Sequence, residues 1–103
     1  MNHPIRIGVI GCGVVSEEHM SVYNRIKDAK VVAVSDVIPE KAKSVFKKYR
    51  VDKIFTDYAD LLEIKDLDLI DVCTPTSTHS RIVCDAAKFG HNILVEKPMA
   101  RST

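Results

Sequence analysis

The sequence predicts a doubly wound α/β fold of the Rossmann type, a parallel sheet in strand order 3-2-1-4-5 with helices on both faces. Three observations carry that reading. Short, nearly unbroken apolar runs alternate with segments of helical period along the whole chain. The connections between them are short, as right-handed β-α-β crossovers require. The first apolar run ends in Gly11-x-Gly13, a glycine turn placed between a strand and a helix.

Taken in order, Ile5 to Gly11 reads as a strand covered on both faces, because it lacks the polar alternation of a half-exposed strand. From Val14 to about Lys27 the period lengthens, and Val15, His19, Val22 and Ile26 form one stripe, taken as the inner face of a helix. Lys30 to Asp36 is a second buried strand. Pro39 then stands where a first helical turn tolerates proline, and Ala42, Val45, Phe46 and Tyr49 share the inner face behind it. Lys43, Lys47 and Arg50 fall on another face, read as solvated. Lys53 to Phe55 is a brief third strand, and Tyr58 to Glu63 a short helix. A fourth strand runs through "DLDLIDVC" to Thr74-Pro75. Ser77 or Thr78 is placed to cap the next helix, with Ile82, Val83, Ala86 and Ala87 inward and Gly90 ending it in the left-handed conformation. "NILVE" is strand five. A complete two-half domain has a sixth strand, so the chain reads as a Rossmann domain truncated after about five.

Composition narrows the function. The 103 residues fit one domain and can bury roughly 65% of their unfolded surface, and 46% hydrophobic with 28% charged residues is ordinary globular usage. A net charge of +1, with signs interspersed, gives no reason to expect nucleic acid or an anionic membrane as partner. No stretch approaches the ~18 apolar residues of a membrane span, and the N-terminus lacks the pattern of a signal peptide. Cys12, Cys73 and Cys84 are odd in number without CxxC spacing, which predicts buried free thiols in a reducing cytoplasm and no metal site. His19 and His79 are not spaced as a metal pair, and each reads as a packed, hydrogen-bonded histidine; Glu17 and Glu18 read as facing solvent. Asp71 is anomalous: a carboxylate inside an apolar strand must find donors or point out at a sheet edge.

The chemistry is expected at the carboxyl edge of the sheet. Gly11 permits a tight turn, and Gly13 lacks the side chain that would keep a pyrophosphate from the backbone at a helix N-terminus. Ser16 replaces the third glycine of the dinucleotide fingerprint, where a small residue serves close packing. Asp36 ends the second strand, 23 residues after Gly13, where a carboxylate accepts hydrogen bonds from ribose hydroxyls. Such a carboxylate repels a 2′-phosphate, so NAD is favoured over NADP. Thr74 and Pro75 enter the cleft by topology, and Glu96-Lys97-Pro98 follows strand five at the same edge. On the residues alone a surface lysine before a proline is the commoner arrangement, whereas a Lys97 partly buried at that edge would suit proton transfer with a hydroxyl.

Together "IGVIGCGVVSEEH", "AVSD", "DVCTPTSTH" and "VEKP", in this order and spacing, closely resemble the Gfo/Idh/MocA oxidoreductases (glucose–fructose oxidoreductase, inositol dehydrogenase and rhizopine catabolism) over essentially the whole chain. The resemblance implies an N-terminal Rossmann domain followed by a larger α/β substrate domain, and hydride transfer between NAD(P) and a sugar, sugar nucleotide or polyol. It places Gly11, Gly13 and Val14 on the pyrophosphate, with Cys12 and Val15 counted beside them, and Asp36 on the adenosine ribose. Thr74 and Pro75 line the cofactor, and His79 lies near it. Glu96 lies by the nicotinamide ribose, and Lys97 contacts substrate. Thr76 stands where the family often has asparagine. The residues that would complete the proton-transfer site come later in such proteins, so the chain alone is expected to be inactive. Two other readings remain open: a non-catalytic dinucleotide-binding sensor or scaffold, and a non-binding fragment that pairs with itself through strand five. A homo-oligomer is compatible with all three.

Overall fold

The structure, a computed structural model, describes residues 4–95, with the side chains of Thr76 and His79 outside that description. Among the described residues nine elements alternate as expected: β1 (Ile5–Ile10), α1 (Val14–Arg25), β2 (Ala29–Ser35), α2 (Pro39–Lys48), β3 (Lys53–Phe55), α3 (Tyr58–Leu62), β4 (Leu69–Val72), α4 (Thr76–Lys88) and β5 (Ile93–Val95). The strands form one sheet in the order β3-β2-β1-β4-β5, and each neighbouring pair is parallel. The order reverses between β1 and β4, which opens a crevice at their carboxyl ends.

Strand β1 is central, so both its faces must be apolar, and alternate residues feed two separate cores. Ile7 and Val9 pack with Met20, Val34, Ala42 and Val45 beneath α1 and α2. Ile10 packs on the opposite side with Leu61, Leu62, Ile70, Ile82 and Ala86 beneath α3 and α4. The register of β1 against β2 slips after Ile7, where Gly8 pairs with Ala33 and Val32 is skipped. A Cβ at Gly8 would stand 2.9 Å from a Leu61 methyl and 3.0 Å from one of Leu67, so α3 can close on the sheet only over a glycine.

The inner face of α1 differs from the expectation. Val15, Val22 and Ile26 are 41, 49 and 46% exposed, whereas Ser16 and Met20 are buried and Tyr23 is half-buried. Side chains that can lie close to the sheet take the inner face, and the more apolar stripe is left on the flank. His19, on that same stripe, turns in towards β4.

Smaller departures have equally local causes. Residue 75 is the N-cap of α4, without a side-chain cap, and the Thr78 hydroxyl donates to the Pro75 carbonyl instead of capping from its own position. Ala87 is exposed although Ala86 beside it is fully buried. Helix α3 has a cap the sequence reading passed over: Asp57 accepts from the Ala59 N–H at 2.9 Å. Glu17, 37% accessible, also joins α1 to α2, accepting from Lys48 Nζ at 3.1 Å and from the Tyr49 hydroxyl at 3.0 Å. Of the cysteines only Cys12 is buried; Cys73 is half-buried and Cys84 exposed. Gly90 takes the expected left-handed conformation, φ +81°, and Lys43, Lys47 and Arg50 are exposed as expected. Among the described residues no helix is long and apolar enough to cross a membrane.

The two faces of α1 can be told apart by mutation. Met20→Ala is expected to cost about 2–5 kcal/mol, the range for a long apolar side chain removed from a packed core. Val22→Ala should stay within about 0.5 kcal/mol, as for an exposed position. Urea denaturation of both variants measures the difference, and equal losses would return Val22 to the core.

Candidate functional site

The crevice is built from three loops that the sheet order brings together: 11–13 after β1, 36–38 after β2, and 73–75 after β4. Gly11 has φ +98°, a conformation that disfavours any side chain. A Cβ there would stand 2.9 Å from the Cys73 carbonyl carbon and 3.0 Å from its oxygen. Glycine therefore serves both the turn and the approach of the β1 and β4 ends. Gly13 is different. Its φ is −94°, open to any residue, and a Cβ would find no atom within 4 Å. The glycine at 13 answers no need of this chain's own packing, and the space above it is free for a ligand.

Helix α1 starts directly behind Gly13 and has no side-chain cap on its first turn. Its first N–H groups and the positive end of its dipole consequently face the crevice. Ser16 is fully buried and donates from Oγ to the Gly13 carbonyl at 2.7 Å. That bond draws the loop down onto the helix, the close packing for which a third glycine would otherwise serve.

Asp36 faces the same opening. One carboxylate oxygen accepts from the Cys12 N–H at 2.8 Å and the other from the Ile38 N–H at 2.8 Å. The carboxylate is thus oriented by its own backbone surroundings and keeps lone pairs for further donors. Cys12 thus holds Asp36 through its backbone N–H. Its side chain is buried, and its thiol donates to the Ser35 carbonyl at 3.5 Å. Burial, then the nearby Asp36 and Glu17 carboxylates, push that thiol up to about 12. Val14, Val15, Val37 and Ile38 all expose apolar surface around the loop. Val37 and Ile38 were not singled out from sequence, where a strand end gives no sign that its apolar residues stay uncovered.

Thr74 and Pro75 follow β4 at the crevice wall, and the Thr74 methyl would meet a Cβ at Gly11 at 3.0 Å. His79 lies in the first half of α4; its side chain, Glu96 and Lys97 are outside the described residues. A cavity of about 500 Å³ lies elsewhere, between Leu62–Leu67 and Phe89–His91 at the amino ends of the strands. Its position opposite the glycine loop removes it from the chemistry of the crevice.

Asp71 resolves its anomaly by finding donors. Fully buried, it accepts from the Tyr23 hydroxyl at 2.5 Å and is bonded to His19 Nδ1 at 2.6 Å, both on α1. The Cys73 thiol approaches its second oxygen at 3.4 Å. Burial first, and then the bond to Asp71, push the Tyr23 phenol well above its usual range.

A glycine loop open at Gly13, an uncapped helix behind it and an oriented carboxylate across from it meet at the crevice. Residues 5–103 match the family model described as "Oxidoreductase family, NAD-binding Rossmann fold" (GFO_IDH_MocA). The chain belongs to this family. It is 35% identical over 96 residues to a myo-inositol 2-dehydrogenase of Thermotoga maritima, covering 93% of this chain and 29% of that protein. It is 34% identical over 102 residues to the uncharacterized oxidoreductase YrbE of Bacillus subtilis, covering 99% of this chain and 30% of that one. Among solved structures, scyllo-inositol dehydrogenase of Lactobacillus casei with bound NAD(H) and scyllo-inositol superposes with a TM-score of 0.85 at 27% identity, over 92% of this chain and 28% of that chain. This member of the family thus spans about 30% of the length of the curated relatives it matches.

The two glycines should separate under substitution. Gly11→Ala is expected to cost at least about 1–3 kcal/mol of stability through its backbone conformation alone. Gly13→Ala should cost under about 1 kcal/mol, a cap effect only, yet weaken NADH binding by roughly tenfold or more. Thermal melts with NADH fluorescence titrations check both, and full NADH affinity in Gly13→Ala would show that the open space is not the pyrophosphate's. The raised thiol predicts a second outcome. At pH 8 iodoacetamide should modify Cys84 quickly and leave Cys12 intact in the folded chain, as peptide mass mapping would read.

Proposed function

We propose that residues 1–103 are the cofactor-binding portion, an incomplete Rossmann domain, of an NAD-dependent dehydrogenase that transfers hydride to or from a polyol or sugar hydroxyl. The substrate domain belongs to sequence outside these residues. The observation that carries the reading is the pairing of the open Gly13 with an Asp36 carboxylate already turned towards it. The polyol class is supported by the inositol dehydrogenases among the relatives.

In this reading the N–H groups at Gly13, Val14 and Val15 meet the pyrophosphate, and Gly11 shapes the turn that presents them. Cys12 contributes by fixing Asp36, which accepts the adenosine ribose hydroxyls. Val37 and Ile38 offer an apolar flank to the adenine. Thr74 and Pro75 line the nicotinamide half, with His79 and Glu96 near it, and Lys97 shares in moving the hydroxyl proton. NAD is preferred over NADP because a 2′-phosphate would bring negative charge against Asp36.

Titration of the chain with NADH and with NADPH, followed by amide NMR shifts, tests this. Saturable NADH shifts at Gly11, Gly13, Asp36 and Thr74 are expected, with weaker NADPH binding. Asp36→Asn should narrow the NADH/NADPH ratio about tenfold, consistent with the ~1–4 kcal/mol scale of two charges about 4 Å apart near a surface. Equal affinity for both cofactors in the unaltered chain would overturn the assignment of Asp36. Steady NADH formation by the chain alone with any polyol or sugar would overturn its expected inactivity.

A further inference from the structure

We propose that His19, Asp71 and Cys73 form a binding site for a zinc-like divalent cation, wedged between α1 and the end of β4, directly behind the nucleotide crevice. The three offer one nitrogen, one carboxylate oxygen and one sulfur, all within 4.8 Å of one another. Spacing in the sequence hides the set, because one ligand comes from a helix, one from a strand some fifty positions later and one from the residue just after that strand.

The distances suit the ion. With metal–sulfur bonds of about 2.3 Å and metal–nitrogen or –oxygen bonds of about 2.0–2.1 Å, tetrahedral ligands lie roughly 3.3–3.6 Å apart. Cys73 Sγ is 3.5 Å from His19 Nδ1 and 3.4 Å from Asp71 Oδ1. His19 Nδ1 is at present bonded to the other carboxylate oxygen, Oδ2, at 2.6 Å, a hydrogen bond that a small rotation of the imidazole would open.

Charge supports the same assignment. Asp71 has no exposure, and His19 has 17% of its side chain accessible, so the site is poor in water yet reachable from the surface. A divalent ion held by one carboxylate, one thiolate and one neutral imidazole has no net charge, which removes much of the cost of burying ions there. Sulfur and imidazole select zinc, cobalt or similar ions over the hard magnesium and calcium. Three protein ligands leave a fourth position for water. The Tyr23 hydroxyl, bonded to Asp71 at 2.5 Å, is placed as the outer partner that orients the carboxylate.

The test uses the reduced chain carrying Cys84→Ser, which removes the exposed thiol. Titration with Co²⁺ is expected to saturate at one ion per chain, with sulfur-to-cobalt charge-transfer absorption and visible bands of tetrahedral intensity, all abolished by Zn²⁺. Adding Cys73→Ser should eliminate the charge-transfer band, and His19→Gln should weaken binding at least about tenfold. Tyr23→Phe, nearly isosteric and expected to fold where Asp71→Asn fails, should weaken binding roughly 10–100-fold, as loss of an outer partner does. Absence of a sulfur–cobalt band, or a band that survives Cys73→Ser, would overturn the proposal. NADH affinity is read separately, so the outcome does not depend on the cofactor assignment.

Discussion

The carboxyl edge of this sheet depends on position 11 having no Cβ. Strand β1 ends against the backbone of Cys73, and the space between them is narrower than any side chain allows. If that contact were prised apart, the loops after β1 and β4 would separate and the crevice at the switch point would lose its floor. The left-handed backbone at Gly11 follows from the same demand, since the chain must turn sharply to start α1 without running into β4. Position 13, by contrast, is under no such constraint from the chain itself. One glycine is required by the packing of the fold, and the other is not.

Helix α1 carries the consequence of that turn to the rest of the molecule. Its first turn is held to the loop by Ser16, its outer side to α2 by Glu17, and its β4 side to Asp71 by His19 and Tyr23. These ties run in three directions from one helix of twelve residues. They fix the direction of the helix dipole at the crevice, where a ligand's charge would meet it. Such fixing contributes to binding by sparing the ligand the cost of ordering the site. Asp36 has the same property on a smaller scale, with both oxygens already oriented by backbone N–H groups.

The order of elements and the strand order were legible in the sequence because the period of apolar residues changes sharply at each strand–helix boundary, and because Gly11-x-Gly13 marks the first turn. The face of α1 was not. Hydrophobic periodicity identifies a stripe, and Val15, Val22 and Ile26 are a better stripe than Ser16, Met20 and Tyr23 by apolarity alone. Depth under the glycine loop decided otherwise. At Ser16 only a small side chain fits, and its hydroxyl is satisfied by the Gly13 carbonyl. Farther along, the tyrosine is drawn in by a buried carboxylate on another strand. The cap of α4 was misplaced for a related reason. Pro75 caps the helix two residues before Ser77 and three before Thr78, leaving Thr78 inside the first turn, where its hydroxyl reaches back to a carbonyl.

Asp71 shows where sequence reasoning stops and why. Its isolation among Leu69, Ile70 and Val72 signals that something must compensate a buried carboxylate, but the compensators lie 48 and 52 positions away and are chosen by the packing of α1. Register supplies the missing step. Asp71 pairs with Val9 across the β1–β4 ladder, and Val9 belongs to the core beneath α1. Because strand side chains alternate, Asp71 and Cys73 must point to the face where α1 lies, and His19 and Tyr23 are four positions apart on that helix, one turn of the same flank. Once the sheet order is known, the meeting of these four side chains is a matter of parity and helical pitch. The Gly11 turn fixes that order at the β1–β4 junction, so the same constraint that opens the crevice also assembles the polar cluster behind it.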